Sequence, residues 1–192
     1  LPAALKNTLP ENLRDFGNMT LKGLLEVTPT SLDANVFITS QLGTADADLV
    51  MRNFDNSRIA SYKGKLIFTD FNIGRLFDEP LLGKTTFNIN LDGSGFDREN
   101  LSTKLNGQIS KLEFNNYTYR NIRVIGNLRD PVFNGNLVAN DPNFRMEFNG
   151  LADLSQEINV YDFEAAVGYA DLNKLNFVSR DSISIFKGDV FM

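Results

Sequence analysis

Acidic, hydroxyl and lysine side chains are the groups in this chain that could do chemistry, and the acidic ones are numerous: 24 Asp and Glu among 192 residues. The run DADLVMRNFDN brings Asp46, Asp48, Asp55 and Asn56 close together, an oxygen-rich set of the kind that binds calcium. It lacks the acidic spacing and terminal Glu of an EF-hand loop. Asp46 and Asp48 also alternate with Ala47 and Leu49, as the solvated face of a strand does. DGSGFD places Gly93 and Gly95 two apart with no third glycine at the fingerprint position, so a turn accounts for it better than a phosphate cradle. There is no Cys and no His. Thiolate nucleophiles, disulfides, imidazole bases and the usual zinc sites are thereby removed. No Ser–Lys pair stands out among so many hydroxyls. The sequence therefore predicts a protein that is not an enzyme, with no catalytic residue, no metal and no cofactor.

The net charge of −5, with Lys and Arg scattered rather than clustered, argues against nucleic acid as a partner. Hydrophobic residues make up 42% of the chain, and Phe supplies 16 of its aromatic side chains. That is enough for a core or a lipid-facing surface. No stretch approaches the ~18 apolar residues of a membrane helix. The chain begins at Leu1 and stops at FKGDVFM in a strand pattern, which reads as a segment of a longer protein.

The elements that must position these side chains are strands. Apolar residues recur at every second position in about eleven short runs. They are separated by connections rich in Asn, Asp, Gly and Pro, such as NFDNS, RDP and NDPN, which suit antiparallel turns. The alternation predicts Leu66, Phe68, Phe87, Ile89, Leu105, Phe133, Leu137, Phe144, Met146, Phe148, Phe163 and Val167 on one apolar face. Lys63, Lys65, Asn88, Asn90, Lys104, Arg145, Glu147 and Glu164 fall on the other. Phe163, Ala165, Val167 and Tyr169 read as one face of a last full strand. Short helical turns are expected over PENLRDFG, NIGRLFDEP and DLNKLNF.

Glycines interrupt the apolar face with the grammar apolar–x–Gly–x–apolar. Gly64, Gly107, Gly126, Gly135 and Gly150 all sit in it. A mid-strand glycine weakens a strand, so these positions imply a tightly curved sheet or something lying close to the backbone. One sheet with one greasy face cannot leave it in water at ~25 cal/mol per Å². A shift of 101 residues superimposes Leu32 on Phe133, Val36 on Leu137 and Ala47 on Phe148. It also sets Tyr62 on Phe163, Phe68 on Tyr169, and Asp70-Phe71-Asn72 on Asp171-Leu172-Asn173. This predicts an internal repeat over approximately 19–120 and 121–192, the second copy truncated, with 1–192 as one fragment of a larger protein.

The stretch from YKGKLIFTDFNIGRLFDEPLLGKTTFNINLDGSG through LNGQISKLEFNNYTYRNIRVIGNLRDPVFNGNLVANDPNFRMEFNGLADLS resembles the repeated part of AsmA-like envelope proteins, especially the TamB-type translocation and assembly module family. LPENLRDFGNMTLKGLLEV is similar to the helix and strand that open such repeats. The resemblance implies an all-β fold: a long curved antiparallel sheet folded into a taco-like or groove-shaped half-barrel with an apolar interior, plus two or three short helices. It implies a periplasmic protein of a diderm bacterium, anchored in the inner membrane. Its expected partners are phospholipid in the groove and an Omp85-type outer-membrane barrel engaged through regions outside this chain. Two functions follow as expectations. In one, the groove carries or shields acyl chains between the membranes; in the other, sheet edges engage outer-membrane protein clients by β-augmentation.

Overall fold

The computed structural model describes residues 17–96, 100–129, 132–153, 160–179 and 184–191, without the side chains of 152, 153, 160–163 and 191. The helical turn expected over residues 10–17 and the side chain of Phe163 lie outside this set, apart from Gly17. Alternation of apolar and polar residues produces eleven strands: β1 (Thr20–Val27), β2 (Ser31–Ser40), β3 (Gly43–Arg52), β4 (Ser61–Asn72), β5 (Leu82–Ser94), β6 (Ser102–Phe114), β7 (Tyr117–Arg129), β8 (Val132–Asp141), β9 (Phe144–Asp153), β10 (Val160–Asp171) and β11 (Ile185–Phe191). One helix, α1 (Ile73–Phe77), follows β4. Among the described residues the strands pair strictly in sequence order into a single antiparallel sheet, open at β1 and β11 and at most weakly curled.

Turn chemistry sets the hairpins. Asn115 and Asn116 join β6 to β7 with φ of 49° and 59°, the left-handed pair that a tight two-residue turn needs. Ser40 and Asp141 fix the β2–β3 and β8–β9 turns differently, by accepting from a turn amide with their side chains. The Leu42 amide donates to Ser40 Oγ at 3.2 Å, and the Asn143 amide to Asp141 Oδ1 at 2.8 Å. Asn72 caps α1 by accepting from the Arg75 amide at 2.9 Å, and Asp78, left-handed at φ 54°, ends it.

Among the described residues no second layer of strands covers the sheet, and burial comes from end caps and neighbouring side chains. At one end, the turn that carries Leu42 and the exit of β4 meet α1, and Phe71 and Leu42 are each 1% exposed beside Ile73 and Leu76. Farther along the same end, the segment after β10 folds back over the sheet. Leu175 there is 1% exposed against Tyr119, Ile122, Ala139 and Ala170. Asn115 and Asn176 clasp this segment to the β6–β7 turn, each side-chain amide donating to the other's carbonyl at 3.1 and 3.0 Å. The DLNKLNF helix is absent: residues 172–176 form turns.

Two bulges break the alternation. In β4 the pairing with β5 jumps from Phe68↔Phe87 to Phe71↔Thr85. Lys111 holds the Asp70 carboxylate of that bulge at 3.0 Å and Glu113 at 3.1 Å. In β10 the pairing with β9 jumps from Val167↔Met146 to Tyr169↔Arg145. This bulge corrects the expected place of Tyr169. The extra residue, Gly168, turns Tyr169 to the polar face, where the Arg145 guanidinium lies 5.3 Å from its ring centre.

The 101-residue spacing recurs in the strand register. β8 and β9 begin and end 101 residues after β2 and β3. Leu25↔Ala34 becomes Gly126↔Gly135, and Phe68↔Phe87 has its counterpart in Val167↔Gly188. β10, however, follows β4 by 99 residues. The register accordingly matches Tyr62 with Tyr161 and Phe68 with Val167, correcting the expected matches to Phe163 and Tyr169.

Candidate binding face

Strand register turns scattered apolar residues into continuous rows. One row crosses every strand: Gly23, Val36, Ala47, Leu66, Ile89, Gly107, Val124, Leu137, Phe148, Ala165 and Val190. A second, beside it, runs from Leu21 and Ile38 through Phe68, Phe87, Ile109 and Ile122 to Met146, Val167 and Gly188. Neither row contains a charged or hydrogen-bonding side chain. At ~4.8 Å per strand the rows span roughly 48 Å along the sheet. Such a strip is the natural feature to bind something elongated and apolar.

The twelve residues expected on this face are distributed as follows. Leu66, Ile89, Leu137 and Phe148 stand in the first row and Phe68, Phe87, Met146 and Val167 in the second. Leu105 and Phe133 lie toward the opposite end of the sheet, and Phe144 under the Leu175 cap. All eleven are half-buried; Phe163 stands opposite Gly150 in the register. The eight residues expected on the other face are all exposed. Along the midline Val36 is only 5% exposed, covered by neighbouring side chains of the sheet, and Ala139 only 3%, under Leu175.

The glycines cluster. Gly64, Gly126, Gly135 and Gly150 share one cross-strand row, the last three on adjacent strands. Gly107 sits in the neighbouring row, facing Ile89. At Gly126 and Gly135 a Cβ would meet the backbone of the neighbouring strand first, and the ring of Phe133 stands at about 3 Å from it on either. Tyr62 does the same at Gly93, its hydroxyl passing over that strand to hydrogen-bond Thr103 Oγ1. Gly64, with φ at 150° and the Asp48 carbonyl where its Cβ would be, has a backbone that a side chain would strain. The sequence showed Gly126 and Gly135 but not the ring beside them, because Phe133 comes from the neighbouring row.

Polar atoms within the face are satisfied. Among the described residues no buried side-chain nitrogen or oxygen lacks a partner. Asp141, 1% exposed, accepts from the Tyr117 hydroxyl, the Arg120 amide at 3.0 Å and the Asn143 amide. Burial first, and then the hydrogen bond to this carboxylate, push the Tyr117 phenol up to about 12. Burial, seconded by Asp141, also raises that of Tyr119. This network closes the capped end and was not foreseen from the sequence, where Asp141 reads only as a turn residue.

The opposite face is also hollowed. A depression of about 760 Å³ crosses β3 to β7 between Lys63, Lys65, Asp92, Lys104 and Asn106, and Gly64 and Gly126 line it as well. Lys63 and Asp92 pair across it at 2.9 Å. At those two glycines the backbone is thus approached from the polar side too. Among the described residues no group of three or more Asp and Glu could hold a metal, and no helix is long and apolar enough to cross a membrane. Compared with known proteins, the chain matches no family model, no curated protein and no solved structure.

Proposed function

We propose that this chain is a segment of a periplasm-spanning envelope protein whose sheet curves around phospholipid acyl chains as a groove, carrying or shielding them between the inner and outer membranes. The observation that supports it is the pair of uninterrupted apolar rows, which run across the eleven described strands with no second layer of strands over them among the described residues and only the Leu175 turn covering Ile122 and Ala139. Acyl chains are long, narrow and wholly apolar, and such a strip offers them burial along their length at ~25 cal/mol per Å². Photocrosslinkers at Phe133 and Phe148 should capture lipid in cells, while crosslinkers at the exposed Asn134 and Asn149 should not. Capture of lipid at neither inward position overturns the reading. Leu137→Asp should block lipid passage, since an unpaired charge in a dry site costs several kcal/mol. Its folding is checked alongside by circular dichroism.

A second reading, a scaffold that engages outer-membrane protein clients by β-augmentation, is favoured by β1. This edge strand has no Pro and no bulge in its pairing with β2, and it exposes Leu21, Leu24 and Leu25; of the usual edge guards it carries a lysine, Lys22. Capture of polypeptide alone at the inward positions would favour it.

A further inference from the structure

Asparagine is depleted in strands, where its side chain competes with the backbone ladder. The polar face of this sheet nevertheless collects it. Register sets Asn90, Asn106, Asn136 and Asn149 in one row from β5 to β9, broken at β7 by Ile125, and Asn127 beside Asn134 in the next. Solubility does not require this, since Thr keeps a face wet and suits a strand better. Nor do the carboxamides chiefly serve the fold. Asn136 donates to the Phe148 carbonyl at 3.1 Å and Asn90 reaches the Asn106 carbonyl at 3.5 Å. The side chains of Asn106 and Asn127 make no hydrogen bond among the described residues.

Three of these carboxamides stand where the polar face is hollowed. The depression of about 760 Å³ brings Asn90, Asn106 and Asn127 together with Lys63, Lys65, Lys104, Asp48 and Asp92. All eight are exposed, so the hollow is open to solvent. Asp92 holds Lys63 at 2.9 Å, while Lys65 and Lys104 have no ion-pair partner among the described residues. Three lysines against two aspartates leave one positive charge in surplus. We propose that this depression binds a sparsely charged acidic polysaccharide, its hydroxyls on the carboxamides and aspartates and its carboxylates on Lys65 and Lys104.

The lining fits that ligand class. A carboxamide presents donors and an acceptor at one point, as a sugar hydroxyl does, so either can take either role. Asp48 and Asp92 accept from hydroxyls but repel a chain that is charged at every unit, such as an acidic peptide. Ile125, 48% exposed in the wall, offers an apolar spot to the C–H face of a sugar ring. From β3 to β7 the hollow crosses roughly 19 Å at ~4.8 Å per strand, room for a few rings. In physiological salt, charges beyond ~8 Å are largely screened, so the local surplus outweighs the chain's net charge of −5. The site lies on the face opposite the apolar rows and stands whether or not those rows hold acyl chains.

Hyaluronan oligosaccharides, which alternate an acetamido sugar with a uronic acid, test it against the whole chain. In NMR spectra the side-chain amide resonances of Asn90, Asn106 and Asn127 should shift on titration. Those of Asn115 and Asn176, clasped at the capped end, should stay in place. Asn106→Thr should weaken binding roughly two- to tenfold, the worth of one hydrogen bond. Lys104→Gln should weaken it by a similar factor that shrinks as salt is raised. Both residues are exposed, so the variants keep the fold, as circular dichroism checks. Neutral chitin oligosaccharides should bind more weakly, and polyglutamate should not compete. No shift at these amides, indifference to Asn106→Thr, or equal binding of polyglutamate would each overturn the proposal. Equal binding of the chitin fragments would show that the lysines take no part and overturn the acidic assignment. None of these outcomes bears on lipid capture at Phe133 and Phe148.

Discussion

At Gly135 the sheet has no room for a side chain. A Cβ there would press on the Ile125 carbonyl oxygen and stand 2.5 Å from Gly126 Cα, with the Phe133 ring at 3.0 Å. Gly135→Val should therefore overpack the site and cost ~1–3 kcal/mol in denaturant unfolding. A neutral result would mean that both the Phe133 ring and the adjoining β7 backbone at Ile125 and Gly126 give way freely. Tyr117 gives a pH signature. Its phenol sits at about 12 in the folded chain against an ordinary 10. A folded value raised above the unfolded one adds stability that is fully present below pH ~10 and is lost as pH climbs through ~12. The urea midpoint should fall over that window, and in Tyr117→Phe the fall should be shallower. Identical profiles for the two proteins would show that the hydroxyl carries no such linkage.

Among the elements, the segment after β10 shows how a short turn can matter more than a strand. Leu175 fills the gap over Tyr119, Ile122, Ala139 and Ala170, while Phe177, two residues on, is 58% exposed. Leu175→Ala should cost ~2–5 kcal/mol, as buried Leu truncations do. Phe177→Ala, despite removing the larger side chain, should stay within ~0.5 kcal/mol. Thermal or denaturant unfolding of the two variants checks the contrast. α1 plays the corresponding part in the first half of the sheet, packing Ile73 and Leu76 beside Phe71 and Leu42. A cap of this kind supplies burial that a single-layer sheet otherwise lacks.

On the scale of the whole molecule, each strand pairs only with its neighbours in sequence. Stability then behaves approximately as a sum of nearest-neighbour terms, as in other quasi-one-dimensional architectures. Native-state hydrogen exchange should be slowest in β5 to β7 and fastest in β1 and β11, where one edge is free. Uniform protection across all eleven strands would show that the sheet opens as one cooperative unit. The same linear build explains how apolar rows can cross the entire sheet, since nothing folds back among the described strands to interrupt them.

Period-2 patterning by itself determined which residues are strands and which face each side chain takes. That information is local: successive side chains on an extended backbone must point to opposite sides. Leu66, Leu137 and Phe148 are legible as one face for that reason, and so are Lys63, Lys104 and Glu147 as the other. The limits of that logic show at Tyr169, which the alternation puts on the apolar face. A single inserted residue inverts every side chain beyond it, and whether Gly168 is inserted depends on how β10 pairs with β9. Tertiary structure likewise decided that Leu175 is buried, that Phe133 covers Gly126 and Gly135, and that scattered apolar residues align into rows. Each depends on which residue of a neighbouring strand or turn stands alongside, and cross-strand register is a property of two segments that neither one encodes alone.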